Sequence, residues 1–189
     1  DAGARRVDIE IEAGGLKRIL VADDGCGMTE GDLLVALERH ATSKLPADES
    51  GRVALLNIHT MGFRGEALPS IASVTRMSEL SRAEAEEASE VYVEAGRSEG
   101  PKPAAWTGFA TTGTRIEVRD LFHATPARLK FMKSERAETM AVTDTCRRLA
   151  MARADIGFSL QSNGRTLFRH AAETGDEAAA RLARLGAIM

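Results

Sequence analysis

Residues 6–11 alternate without a break: Val7, Ile9 and Ile11 point one way, Arg6, Asp8 and Glu10 the other. A period of two is the mark of a strand with one wet face. Gly14-Gly15 then turns the chain, and residues 18–22 form a second strand, so the two make a hairpin. A lone hairpin is barely stable in water, so further strands and a cover for the apolar face have to come from the rest of the chain. Strands are predicted near residues 77–81, 90–95 and 114–119, with residues 84–89 as a surface loop or hairpin tip. Residues 158–161 and 166–170 flank Ser162-Asn163-Gly164, a strong hairpin turn.

Helices fall between these strands. Thr29 reads as an N-cap with Asp32 in the capping-box position, followed by an apolar stripe of Leu33, Leu34, Ala36 and Leu37 toward His40. Short helices are predicted over residues 69–74 and, capped by Thr125-Pro126, through Met132. A longer one runs from Ser134 to about Ala154, and a last one, rich in Ala, Leu and Arg, over residues 177–185. The pattern is α+β: a two-layer sandwich with helices on one face of a mostly antiparallel mixed sheet.

Composition narrows the classes. Hydrophobic residues make up 43% but aromatics only 4%, so the core is aliphatic. Two cysteines, Cys26 and Cys146, make neither a disulfide framework nor a zinc site. A reduced, cytoplasmic compartment fits, and Cys26 is expected to be a small buried filler. No apolar run is long enough to span a membrane. The formal net charge of −3 does not announce a nucleic-acid binder. Its distribution is uneven, however: residues 115–169 hold 11 Lys/Arg against 6 Asp/Glu, and residues 79–99 hold 7 Glu against 2 Arg. Two solvated surfaces explain such runs, and a basic face for a phosphate backbone is the functional alternative.

Three segments carry chemistry. Gly62-Phe63-Arg64-Gly65-Glu66-Ala67-Leu68 places two glycines before a helix-forming run. Glycine lets backbone approach a ligand closely, and the helix start offers unpaired N–H groups, so the segment reads as an anion cradle, most often for phosphate. Asp23-Asp24-Gly25-Cys26-Gly27-Met28 leaves the end of a strand, and Gly113-Thr114 begins another.

These segments, with Asp1-Ala2-Gly3-Ala4, Arg39-His40-Ala41-Thr42-Ser43-Lys44 and residues 120–128, resemble the N-terminal ATPase domain of the MutL mismatch-repair family. That family shares an ATPase superfamily with gyrase B, a heat-shock chaperone and sensor histidine kinases. The likeness covers the whole chain, and the Arg39–Lys44 and Gly62–Leu68 runs separate MutL from its cousins. It implies an ATP site formed by Asp23, Gly25, Gly27, Met28, Thr42, Ser43, Lys44, Gly62, Phe63, Arg64, Gly65, Glu66, Ala67, Leu68 and Thr114. Asp23 would accept a hydrogen bond from the adenine amine and reject guanine. Gly25 and Gly27 would leave room for the base, and Thr114 would share a water with Asp23. A lid from about His40 through Arg64 would close over the phosphates. Asp24 stands where many members have Asn, and His123-Ala124 where Tyr-Asn is commoner. Residues 125–128 would help build the core beneath the site.

The resemblance also implies ATP and Mg²⁺ as cofactors, homodimerisation on ATP binding, and contact with double- and single-stranded DNA without sequence preference. Partners would be MutS, a nicking endonuclease and a helicase, in a bacterial cytoplasm and at the nucleoid. The family's water-activating Glu and Mg²⁺-holding Asn lie just before the Asp1 segment, and a Lys comes from a second, transducer domain. The chain therefore reads as an ATP-binding fragment, residues 1–189, of a longer protein, truncated at both ends and unable to turn over ATP by itself. A non-catalytic nucleotide- or partner-binding fragment, or another member of the superfamily, is the alternative.

Overall fold

The computed structural model describes residues 1–42, 60–62 and 64–188. Its centre is one sheet of eight strands: β1 (Arg6–Glu12), β2 (Arg18–Asp23), β3 (Arg76–Arg82), β4 (Ser89–Glu94), β5 (Arg97–Pro103), β6 (Gly113–Arg119), β7 (Gly157–Ser162) and β8 (Arg165–His170). The spatial order is β5-β4-β3-β6-β2-β1-β7-β8. Every neighbouring pair is antiparallel except β1 and β7, which run parallel. Among the described residues four α-helices accompany it: α1 (Glu30–Ala36), α2 (Ala67–Ala72), α3 (Glu135–Ala152) and α4 (Glu177–Ile188).

Register puts most of the sheet's buried apolar side chains on one face, with Leu20, Ala22 and Leu80 buried on the other. Ile11, Ile19, Val118 and Met77 lie directly opposite one another across β1, β2, β6 and β3. Because paired residues share a face, this row fixes where the helices pack. Ile9, Ile11, Phe158, Leu160 and Phe168 meet Cys146 and Ala150 of α3 at one end. Leu33 of α1 and Ala72 of α2 meet Met77, Val91, Val93 and Val118 at the other. Ile19 touches both clusters, whereas Val21, on the same face of the same strand, is 37% exposed. The described helices thus leave an open strip over β2, and Asp23 ends that strand.

The opposite face carries a lattice of ion pairs. Arg18 reaches Glu10 at 2.9 Å and Glu117 at 3.0 Å, and Glu117 also takes Arg115 at 3.5 Å and Arg119. Arg76 bridges Glu94 at 2.9 Å and Asp120 at 2.7 Å. Cross-strand charge pairs let these strands bring charged side chains together without a second helical layer.

Several sequence expectations need correction. The helix after Thr29 is capped as expected, Thr29 accepting from the Asp32 N–H and Asp32 from the Thr29 N–H, but it ends at Ala36. Of its stripe only Leu33 is fully buried, and Leu34 is exposed, one residue past the buried face. The next helix starts at Ala67, two residues before Pro69. Residues 126–131 form a 3-10 turn that buries none of its side chains, so it does not build core, and Thr125 makes no capping bond. Strand β5 was not expected at all. The turn at residues 162–164 holds as predicted, with Asn163 and Gly164 both at positive φ.

One buried group stands apart. Glu79 of β3 faces the helical side between Met77 and Ser81, with Val91 and Ile116 as its cross-strand partners. It is fully buried, and neither carboxyl oxygen has a hydrogen-bond partner. Burial pushes its carboxyl up to about 7. A folded pKa above the unfolded value means that the folded state holds the proton more tightly. Stability from this group is therefore full below about pH 4.5 and falls by roughly 3 kcal/mol as pH rises through 7. Urea unfolding at pH 5 and pH 8 is expected to show Glu79→Gln gaining on the wild type by about 2–3 kcal/mol between the two pH values. An unchanged gap would mean that Glu79 finds a partner in solution.

Candidate functional site

The loop that leaves β2 is held at every step. The Asp23 carboxylate accepts the Gly25 N–H at 2.8 Å and a backbone hydrogen bond from Thr114. Burial raises the Asp23 pKa, against the lowering effect of those two bonds. The Cys26 N–H donates to the Ala2 carbonyl at 2.9 Å, the Met28 N–H to Ser81 Oγ at 2.8 Å, and Thr112 Oγ1 to the Gly25 carbonyl at 2.9 Å. Asp24 turns the other way, its Oδ1 accepting the N–H groups of Arg5 at 2.7 Å and Arg6 at 2.8 Å. An Asn Oδ1 could accept the same two bonds, which is why Asp is a conservative residue here.

Two close approaches explain the glycines. Gly27 has φ +71°, and a Cβ built on it would lie 2.0 Å from the Arg82 carbonyl oxygen. A Cβ on Gly25 would lie 2.8 Å from the Ala2 methyl and 2.9 Å from the Asp23 carboxylate. A side chain at either position would meet the protein's own backbone and side chains.

Ser81 ties the loop to the sheet. Asp23, Thr114 and Ser81 lie in one row across β2, β6 and β3. Ser81 Oγ meets Thr114 Oγ1 at 3.0 Å and the Gly113 carbonyl at 2.9 Å, besides the Met28 N–H. Sequence reasoning missed Ser81; its register opposite Thr114 is the signal that identifies it.

Across from this loop lies the glycine-rich segment. The His40 N–H donates to the Gly65 carbonyl at 3.1 Å, and His40 Nδ1 lies 3.3 Å from Glu66 Oε1. Gly65 has φ +60°, and a Cβ there would stand 2.1 Å from the Ala41 carbonyl oxygen. The two segments cross so tightly that a side chain at 65 has no room.

Between the two walls opens a cleft of about 750 Å³, a normal size for a small-molecule site. Cys26, Gly27, Met28 and Asp32 line one side; Thr42, Gly62, Arg64, Gly65, Glu66, Ala67 and Leu68 line the other. Of the expected site residues, Asp23, Gly25 and Thr114 do not line it, lying instead in the hydrogen-bonded layer that supports the loop. Ser43, Lys44, Phe63 and most of the expected lid lie outside the described residues. Cys26 is exposed and borders the cleft, against the expectation of a buried filler, because it lies in the loop beyond the end of β2. Cys146 is the buried one. Among the described residues no group of three His, Cys, Asp or Glu could hold a metal ion, and no helix is long and apolar enough to cross a membrane.

No family model matches the chain. Curated relatives do. The DNA mismatch repair protein MutL of Caulobacter vibrioides is 56% identical over 191 residues, covering 100% of this chain. The MutL proteins of Phenylobacterium zucineum and Rhodospirillum rubrum are each 53% identical, again over the whole chain. The chain belongs to the MutL family. It spans 29% to 31% of the length of these MutL relatives. Among solved structures, the Aquifex aeolicus MutL ATPase domain complexed with ADP matches with a TM-score of 0.74 at 28% identity, covering 100% of this chain and 62% of that one. The eight-stranded, mostly antiparallel sheet with helices on one face is therefore the MutL ATPase fold.

The glycine geometry gives a paired prediction. Gly27→Ala is expected to lose more than about 2 kcal/mol, from a left-handed alanine and the contact with Arg82. Gly31→Ala, on the exposed side of α1 with open space around it, is expected to gain up to about 1 kcal/mol. Thermal unfolding of the two variants checks both signs.

Proposed function

We propose that residues 1–189 form the ATP-binding unit of a MutL-type mismatch-repair ATPase. The observation that carries this reading is the cleft in which the loop from β2 meets Gly62 and residues 64–68. The ADP complex of the Aquifex aeolicus relative supports the same assignment. The first turn of α2 opens on this cleft, and its N–H groups offer donors to phosphate oxygens. Arg64, Thr42, Ser43 and Lys44 would add charge and hydroxyl donors, with Phe63 in the same segment. Asp23 would receive the adenine amine, and Thr114 and Ser81 would hold Asp23 and Met28 in place.

Mg²⁺ would enter with the phosphates and neutralise their charge, keeping most of its water shell. The described residues offer it no cluster of ligands, so the work of this chain is to bind, orient and shield the nucleotide. The family's water-activating Glu, its Asn and its second-domain Lys are not among these 189 residues, and phosphoryl transfer needs a group to position the water. In the whole protein, ATP would close the lid and drive homodimerisation into a clamp. That clamp would pass a mismatch signal from MutS to a nicking endonuclease and a helicase, in the cytoplasm and at the nucleoid. It would hold double- and single-stranded DNA through sequence-independent phosphate contacts.

Calorimetric titration with Mg-ATP tests the site. The 189-residue chain is expected to bind, and Asp23→Asn to lose at least roughly tenfold in affinity, since a buried charged acceptor is replaced. Equal binding by both would remove adenine from Asp23. The same chain is expected to release no phosphate from Mg-ATP above a buffer blank, and steady release that scales with protein concentration would mean that another carboxylate activates water.

A further inference from the structure

A second cleft, of about 320 Å³, lies where the start of β1 meets the start of β7 and the end of β8. Arg5, Arg6, Arg169 and His170 line it, with Asp8 as its one acidic residue among those described. Asp8 is already engaged. Arg6 donates to it through Nε at 3.1 Å and Nη2 at 2.5 Å, and Ser159 Oγ lies 2.6 Å from it. That pairing, with the Phe109 ring 4.4 Å beneath the guanidinium, fixes Arg6 in place. Among the described residues neither Arg5 nor Arg169 has a carboxylate partner for its guanidinium. Two free arginines and one held arginine thus surround a concavity whose only acid is spent.

The local field agrees. His170 is held below the usual imidazole range, first by burial and then by the positive charges of Arg184 and Arg147, against a smaller opposing effect of Glu173. Arg184 is completely buried behind the cleft, its guanidinium donating to the Ala171 carbonyl at 2.5 Å. Arg184 is itself paired, its Nε 3.6 Å from Glu173 Oε1, yet at His170 the positive charges outweigh that carboxylate.

We propose that this cleft binds a backbone phosphate of single-stranded DNA. The proposal rests on the DNA-contact reading above and assigns it a place. A guanidinium fork matches two phosphate oxygens at once, and two unpaired forks on one rim suit a tetrahedral anion. Phe109, 42% exposed beside Arg6, offers ring surface on which a neighbouring base can stack. An acidic peptide would use the same arginines but gain nothing from the ring.

The test measures binding of a labelled single-stranded oligonucleotide to the 189-residue chain by anisotropy across a salt series. It compares the wild type with Arg5→Gln/Arg169→Gln, and circular dichroism and Mg-ATP titration check that the variant is folded. The expected result is a loss of roughly tenfold or more and a salt slope smaller by about 0.7, the share of one phosphate contact. The His170 imidazole signals, followed by NMR, are expected to shift with the oligonucleotide and their titration to move to higher pH. Oligonucleotide binding that the double variant leaves intact would overturn this site while the DNA reading stands. No oligonucleotide binding by the wild type, with a saturable His170 shift by inorganic phosphate, would overturn both and leave a free-phosphate site. Equal competition by poly-glutamate would overturn the nucleic-acid assignment in favour of an acidic peptide.

Discussion

The antiparallel pairing of β2 with β6 is the interaction on which the rest depends. Its register sets Ile19 opposite Val118 and Asp23 opposite Thr114. The first pair anchors the core, since Ile19 belongs to both apolar clusters. The second sits at the end of the two strands, where the loop to Met28 departs. A slip of one residue would turn Asp23 to the ion-pair face and Ala22 to the helical face. It would also break the row from Asp23 through Thr114 to Ser81 that holds the loop. Gly113 allows this pairing to run to its end: it has φ +143°, and a Cβ there would lie 2.1 Å from the Asp23 carbonyl oxygen.

The cleft therefore has two walls built in different ways. The wall from residues 23–28 is part of the sheet's hydrogen-bond system and is fixed by at least four named bonds to Ala2, Ser81, Thr112 and Thr114. The wall from residues 40–42, 60–62 and 64–68 rests on α1 and α2, which are short and packed through Leu33 and Ala72. Among the described residues its bonds include a His40–Gly65 backbone bond, Thr60 Oγ1 to the Gly62 carbonyl at 3.0 Å and an exposed His40–Glu66 pair. Short helices held by a handful of apolar contacts open at lower cost than a central sheet. A ligand that spans both walls would stabilise the second wall more than the first.

Much of this was legible in the sequence, and the exceptions have physical reasons. The β1–β2 hairpin, the capping box at Thr29 and the Asn163-Gly164 turn were readable because each rests on local chemistry. Strand β5 was not: Gly100, Pro101 and Pro103 lower its β propensity, and only an edge strand tolerates them. Glu79 and Leu80 are adjacent and both buried, so alternation could not show which faced the helices. Arg184 reads as a surface residue of an Ala- and Arg-rich helix. It is buried because carbonyls at the end of α3 and beyond, at Ala150, Ala154, Ile156 and Ala171, need a donor. The same helix exposes Leu182 at 71%, an inversion of the usual pattern that no local rule predicts. At the site, the motif segments were legible as a set. The division between residues that line the cleft and residues that hold the lining was not, because it depends on strand register.

The one parallel pair, β1 with β7, carries a consequence for how the molecule comes to exist. It joins residues 151 positions apart, as the Asp8–Ser159 contact records. Non-local pairings of this kind are made late, after the entropy of closing a long loop has been met. During synthesis, at about 5–20 residues per second, β1 would wait on the order of ten seconds or more before its partner was made. Through that interval the hairpin of β1 and β2 keeps the outer edge of β1 open, and the β2 edge too until β6 is made, beside an apolar face of Ile9, Ile11 and Ile19. Its outward charges, Asp8, Glu10, Glu12 and Arg18, are what keep that early piece from pairing with a stranger.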